Sequence, residues 1–542
     1  MDLVRVLPLS LSLSLLVGGC AGARAPSRPP PTVPRPRLVV LVVYDQLASW
    51  VLAEHAAELD DEGAIRWLER SGLHVERARY AYAGTLTAPG HAAIVSGAGP
   101  DESGVPSNRV WDRRRRARVS SFDDGEHPVF GHEGAFGGAG RLRARTVADA
   151  LVEATSGRAR VVALAMKDRG AIPPGGHHPT LTLWFDGTIG AFTSSTAFVP
   201  ALPPWVEAFR LEHPVAGYVR PWTPLRAYDA LGPDEQPGEG GYGFGASFPH
   251  DPTGTGDAES FLALPGSTEM LLDLAERAVV EVELGQDEIT DFLSISVAST
   301  DYVGHAYGPD SWEYRDMLIR SDLQVGRFLT RLAARTDLAV LLTSDHGIAP
   351  LVERHAEHGL PAGVRWTSAE LLPGLEAHLA STLGPREGGY IDAWVVPHVT
   401  FTTEVRQDAA LRARTADVAE AYLLARPGVG SVTFVAQAAA LRRSDDDVVR
   451  ATGLSITDDP PGDLYVLPSR GSVADDVPGD TGTSHGSAFD YDREVPVLVR
   501  GPGITPGRTT TTVAQDRVAA TLAHLLGVPP VRPGAAPLVA PE

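Results

Sequence analysis

A chain of 542 residues, 43% hydrophobic and 21% charged, can bury a large core and reads as globular rather than fibrous or disordered. Its formal net charge of −21 excludes a broad nucleic-acid-binding surface, because displacing counterions from a phosphate backbone takes a basic face. Small phosphate compounds stay within reach, provided metal ions or a few Lys and Arg side chains reverse the local sign.

The first predicted element is an export signal. Arg5 precedes an apolar stretch, residues 6–17, that is too short to span a bilayer and ends in Val17-Gly18-Gly19-Cys20. Small residues directly before a cysteine resemble the lipobox of bacterial lipoproteins, in which that cysteine is lipidated and becomes the mature N-terminus. Cys20 is the single cysteine of the chain, which suits an anchor and excludes an intrachain disulfide. The expectation is a lipoprotein signal peptide over residues 1–20 and a Pro/Ala-rich tether over 21–36. The product is exported to the cell envelope, periplasm or outer membrane, with the lipid as its membrane contact. No later segment is long and apolar enough to cross a membrane.

Beyond the tether, short apolar, β-branched runs recur at residues 38–43, 161–165, 292–297, 338–343 and 495–499. Near-continuous apolar runs of this length suit strands covered on both faces, so the predicted fold is α/β, with a mostly parallel central sheet flanked by helices. The first run is followed by Tyr44-Asp45, the second by Lys167-Asp168-Arg169, the third by Asp301 and the fourth by Asp345-His346. Open α/β sheets bind ligands at the carboxyl ends of their strands, so these four ends point to one shared site.

Residues 85–95, Thr-Leu-Thr-Ala-Pro-Gly-His-Ala-Ala-Ile-Val, follow the first run. Pro89 fits the first turn of a helix, which puts Thr87 at the helix N-terminus, where free amides and the dipole favour an oxyanion. Taken alone, Thr87 reads first as an N-cap. Two stretches break the strand–helix rhythm. Residues 185–264, rich in Gly, Pro and aromatics such as Trp205, Trp222, Tyr228 and Phe244, form a loop-rich insertion. Residues 351–467 carry helical patterns at 369–383 and 409–425 and strand-like pieces at 390–396 and 432–435, an inserted α+β subdomain. The catalytic core is then 37–350 and 468–542. No internal repeat is present.

The remaining signal is a set of metal-ligand types. Asp301 and His305 lie four apart, Asp345 and His346 are adjacent, Asp45 ends the first strand, and His485 stands in Gly482-Thr483-Ser484-His485-Gly486-Ser487. Three carboxylates and three imidazoles make a borderline-hard donor set that suits zinc. His178, His250, His355, His358 and His398 lack strand-end placement and read as structural or exposed.

Thr-x-Pro-Gly-His, Asp-x3-His, Asp-His-Gly and Gly-Thr-x-His-Gly, in this order, resemble the alkaline phosphatase superfamily, and within it the threonine-nucleophile branch. That branch holds one group of bacterial alkaline phosphatases and the nucleotide pyrophosphatase/phosphodiesterases. The motifs run from Asp45 to about Gly503. The resemblance implies two Zn2+ per chain, one held by Asp301, His305 and His485, the other by Asp45, Asp345 and His346, with the Thr87 oxygen at the metals. It implies Thr87 as nucleophile and Asn108, Lys167 and Arg169 as catalytic groups binding the phosphoryl oxygens of small-molecule phosphate esters. The Lys-x-Arg pair is a mark of the branch's monoesterases, so the expected activity is phosphate monoester hydrolysis through a phosphothreonine intermediate. The alternative is a phosphodiesterase or nucleotide pyrophosphatase with the same nucleophile. A sulfatase is disfavoured, since Thr87 stands where formylglycine formation needs Cys or Ser. A catalytically inert, zinc-stabilised binding protein is disfavoured because no ligand position is substituted.

Overall fold

The structure, a computed structural model, describes residues 35–228, 232–253, 258–476 and 479–542. The expected signal peptide, Cys20 and all but the end of the tether lie outside the described residues. Residues 35–542 form one compact unit. In chain order the strands are β1 (Leu38–Tyr44), β2 (Leu73–Arg79), β3 (Arg109–Asp112), β4 (Ala117–Ser120), β5 (Val161–Ala165), β6 (Leu181–Asp186), β7 (Ala191–Thr193), β8 (Asp291–Val297) and β9 (Leu338–Thr343). They continue with β10 (Arg365–Thr367), β11 (Ile391–Val395), β12 (His398–Phe401), β13 (Val429–Phe434), β14 (Leu464–Pro468), β15 (Val473–Asp475), β16 (Glu494–Arg500), β17 (Gly507–Thr509) and β18 (Val513–Ala514).

The main sheet has the order β17-β2-β16-β9-β1-β8-β5-β6-β7, with β18 also on β2. Each of the five apolar runs lies in it. Alternation assigns their side chains: Val40 and Val42 enter one core with Leu164, Leu293 and Ile295, while Val39, Leu41 and Val43 enter the other with Phe292, Leu341 and Val497. Burying each such side chain stabilises the fold by about 1.5–3 kcal/mol, which is why central strands here are apolar on both faces. Helices Pro265–Glu281 and Trp312–Ala333 cover the first face, and Val147–Ala154 and Arg517–Leu526 the second.

Strands β6, β5, β8, β1 and β9 are parallel neighbours, but β16 runs antiparallel to both β9 and β2. The reversal matters for the site. The chain entering an antiparallel strand arrives at the edge where its parallel neighbours end, so the loop carrying His485, just before β16, meets the ends of β1 and β9.

The first insertion differs from the loop-rich expectation at its start. Phe185 belongs to β6, and Ala191–Thr193 adds the edge strand β7 to the main sheet. Its aromatics pack: Trp222, Tyr228 and Phe244 are buried, Trp205 lies against the main core, and the Trp222 indole donates to Asp316 at 2.7 Å. In the second insertion, β11-β12-β14-β13 form an antiparallel sheet carrying helices Ser368–Leu383 and Ala409–Leu424 over a separate core of Leu375, Leu379, Phe401, Leu423 and Val466.

One buried pair gives a stability prediction. His250 Nδ1 lies 3.3 Å from the Phe244 carbonyl and its Nε2 lies 2.8 Å from Glu313 Oε1, with both side chains fully buried. A ring donating to that carbonyl through Nδ1 offers Nε2 as acceptor, so Glu313 must carry the proton. Burial, reinforced by Asp234, indeed pushes Glu313 up to about 9. A carboxyl raised in the folded state contributes stability that is complete below its unfolded pKa, about 4.3, and is lost as pH climbs through the folded value. Glu313→Gln keeps an N–H donor without a charge, so it should raise the melting temperature at pH 10 more than at pH 6. A gain that does not grow with pH contradicts the assignment.

Candidate active site

The strand ends gather the expected ligands. Asp45 follows β1 directly, and its backbone N–H donates to Val297 of β8 at 2.9 Å. Asp301 and His305 lie one turn apart on helix Ser299–Tyr307 after β8. Asp345 and His346 come one residue beyond β9, separated from it by Ser344, whose hydroxyl donates to the His346 carbonyl at 2.7 Å and accepts the Leu47 N–H at 2.9 Å. Asp45, Asp301, Asp345 and His346 are buried.

Ligand atoms of Asp301, His305 and His485 lie within 4.8 Å of one another, as do those of Asp45, Asp301 and His346. Asp345 joins the second group, its Oδ2 3.4 Å from His346 Nε2. The two groups thus share Asp301, where three separate ligands each had been expected. Every imidazole is oriented by the backbone: Nδ1 of His305 lies 2.9 Å from the Thr483 carbonyl, that of His346 3.0 Å from Gly347, and that of His485 2.8 Å from Thr85. With Nδ1 donating, each ring turns Nε2 inward, the atom that offers a metal its lone pair when the ring is neutral.

The electrostatics ask for positive charge. Burial disfavours the His346 imidazolium, yet Asp345 and Asp45 overcome it and raise the group to about 9. Burial and the neighbouring His346 and His305 hold His485 well below the usual imidazole range. Asp301 would be pushed up by burial, but Lys167 and His305 bring it well below the ordinary carboxylate value. Asp45 Oδ1 and Asp345 Oδ2 are buried without a hydrogen-bond donor. Buried carboxylate oxygens without donors, gathered with inward-turned imidazole nitrogens, fit metal cations.

Thr87 is the first residue of helix Thr87–Ser96, buried, with Oγ1 3.4 Å from His346 Nε2 and no capping bond, which sets aside its reading as an N-cap. The motif's glycine and histidine hold this helix end. A Cβ on Gly90 would fall 2.3 Å from the Asp345 carbonyl oxygen. His91 Nδ1 lies 2.9 Å from the Thr87 carbonyl and 3.2 Å from Asp345 Oδ2, while Nε2 lies 2.8 Å from Ser296 Oγ. Asn108 Oδ1 accepts the Ala88 N–H at 2.8 Å, which fixes its amide and leaves the NH2 as its free donor. Lys167 Nζ donates to Asp45 Oδ2 at 2.7 Å and also to Asp301 Oδ2, so here it faces the candidate ligand carboxylates, where a phosphoryl contact was the expectation. The Arg169 guanidinium keeps a buried Nε without a partner and stands 3.7 Å from Asp168.

Sequence reasoning passed over Gln46 and Tyr302. Gln46 adopts a left-handed φ of 73° and donates from Nε2 to Asp301 Oδ1 at 2.9 Å, bracing the carboxylate that the two groups share; backbone strain at such a position has no signature in composition. Lys167 Nζ lies 4.9 Å above the Tyr302 ring. His358 is also more than a surface residue: with Glu54 and Asp310 it forms a third His/carboxylate trio, bonded to Asp310 Oδ2 at 3.1 Å. A cavity of about 750 Å3 lined by Arg115, Arg141, His127 and His177 holds none of the expected site residues, so size does not locate the chemistry.

A central α/β sheet whose strand ends gather three carboxylates, three imidazoles and a helix-terminal hydroxyl is the arrangement of the alkaline phosphatase superfamily of phosphoric ester hydrolases. The sequence model of the type I phosphodiesterase / nucleotide pyrophosphatase family matches residues 39–365, more than half of the chain, and the chain belongs to that family. It is 29% identical to alkaline phosphatase PhoV of Synechococcus elongatus, over 96% of each chain. The crystal structure of wild-type alkaline phosphatase PafA superposes with a TM-score of 0.85 at 26% identity, covering 93% of this chain and 99% of that one. A PafA variant altered at a threonine, an asparagine, a lysine and an arginine superposes at 0.84, again at 26% identity and the same coverage. These likenesses put the chain in the PafA-like branch.

Proposed function

We propose that this protein hydrolyses phosphate monoesters through a phosphothreonine intermediate on Thr87, at a two-zinc centre. One zinc would be held by Asp301, His305 and His485, the other by Asp45, Asp345 and His346, with Asp301 close to both. When bound, zinc supplies Lewis acidity that lowers the pKa of a hydroxyl and neutralises charge on a leaving oxygen. Thr87 Oγ attacks phosphorus, the ester P–O bond breaks, and the alcohol departs; water then cleaves the phosphothreonine, releasing inorganic phosphate and restoring the hydroxyl. The amides of the first helical turn and the dipole behind them favour the charge that builds there.

Three observations support the monoesterase reading: Asn108 is bonded to the residue after Thr87, Lys167 stands on Asp45 within the carboxylate–imidazole cluster, and Arg169, two residues on, keeps an unpartnered Nε. A monoester presents three non-bridging oxygens and nearly two charges, which three such donors match; a diester masks one oxygen. The variant of PafA altered at threonine, asparagine, lysine and arginine supports it, since its threonine-to-asparagine and lysine-to-arginine spacings equal those of Thr87–Asn108 and Lys167–Arg169. The family's description names phosphodiesterases, so the decisive experiment is the ratio of kcat/KM on phenyl phosphate to that on diphenyl phosphate. A ratio well above one is expected; preference for the diester rejects the assignment.

We further propose export as a lipoprotein anchored through Cys20, on the strength of Val17-Gly18-Gly19-Cys20 and the absence of any other cysteine. Cys20→Ser should move the protein from the membrane to the soluble fraction of the envelope; unchanged fractionation contradicts the anchor.

A further inference from the structure

Asn108 opens a hairpin with an unbalanced charge. Strands β3 and β4 pair antiparallel, with Arg109 opposite Ser120. Ser120 Oγ donates to Asp168 Oδ2, which ties this end of the hairpin to the turn carrying Lys167 and Arg169. Several arginines of the hairpin are held by carboxylates: Arg115 by Asp112 and Asp123, Arg116 by Asp392 at 2.9 Å, and Arg118 by Asp476. Arg109 is not. Its side chain is exposed, it adjoins Asn108, and its guanidinium makes no hydrogen bond or ion pair among the described residues. Desolvation, then the charges of Arg118 and Arg169, hold its pKa below the ordinary arginine value against the opposing pull of Asp168 and Tyr302. Its pairing with Ser120, bonded in turn to Asp168, and its adjacency to Asn108 place Arg109 beside the turn that carries Lys167 and Arg169, at the rim of the candidate phosphate site. A repelled, partly desolvated guanidinium beside a phosphoryl site gains by taking an anion from solution.

We propose that Arg109 forms a second anion subsite, which selects phosphate esters whose leaving group bears another phosphate close to the scissile bond. The proposal rests on the monoesterase reading of the Thr87 site. The first phosphate occupies the Asn108, Lys167 and Arg169 donors, and the second meets the Arg109 fork before departing with the leaving group.

The test compares two esters differing only in that group, 2-hydroxyethyl phosphate and ethane-1,2-diyl bisphosphate, in the wild-type holoenzyme, Arg109→Ala and Arg109→Lys. The ratio of kcat/KM for the bisphosphate over the monophosphate, counted per ester bond, should exceed one in the wild type and fall about 10-fold in Arg109→Ala, the scale of one charge-assisted hydrogen bond. Arg109→Lys should restore part of it, because the point charge survives while the fork does not. An unchanged ratio in Arg109→Ala, whether both substrates suffer equally or neither does, overturns the subsite. Calorimetric affinity for methylenebisphosphonate against methylphosphonate separates this inference from the reaction it rests on. Arg109→Ala should narrow that difference about 10-fold even if no ester is turned over, and an unaltered difference refutes the subsite independently of catalysis.

Discussion

Thr87→Ala should abolish turnover while the metal site remains intact. The Thr87 hydroxyl is the only part of the constellation that the substitution removes, since Asp45, Asp301, His305, Asp345, His346 and His485 sit on four other segments. His91 meets the Thr87 carbonyl rather than its side chain, so the helix end keeps its brace. Losing a nucleophile costs roughly 10^3- to 10^6-fold in kcat. Steady-state kinetics on phenyl phosphate together with metal analysis of the same preparation check both halves. Activity within a few-fold of wild type removes Thr87 from the mechanism, whereas loss of metal along with activity makes the residue a ligand first.

Arg169→Ala should separate monoesters from diesters. The guanidinium stands 3.7 Å from its nearest carboxylate and leaves Nε without a partner, so it is available to the substrate. Removing one preorganised donor to a developing anion costs about 10^2- to 10^3-fold. A monoester should pay this in full, because its third non-bridging oxygen is charged and free, and a diester much less. The measurement is kcat/KM for phenyl and diphenyl phosphate in both enzymes. Equal losses on the two substrates contradict the charge argument and leave Arg169 a structural role.

The contrast between what was legible and what was not has a physical origin. Strands β1, β5, β8 and β9 are apolar on both faces because both faces are covered, and that composition is visible in the chain. Their polar sequels, Asp45, Lys167, Asp301 and Asp345, are visible for the same reason: a charge directly after a buried run must find a partner or a ligand. Strand direction leaves no such trace. The run at 495–499 looks like the others, yet β16 is antiparallel, and only that reversal brings His485 to the ends of β1 and β9. The sharing of Asp301 and the turn of Lys167 toward Asp45 are set by packing at the scale of ångströms. Gln46 supports Asp301 from a left-handed backbone position with no glycine or asparagine to announce it. Likewise, the aromatics of the first insertion could have lined a cleft; Trp222, Tyr228 and Phe244 turn out to be core.

The proposed chemistry requires these side chains to hold two metal ions beside Thr87. Metal content of the purified protein, measured by elemental analysis after exhaustive dialysis, tests this most directly. Two equivalents of zinc per chain are predicted, falling in Asp301→Ala, where both groups lose a ligand, with activity falling alongside. A fully active protein that retains no stoichiometric metal would contradict it.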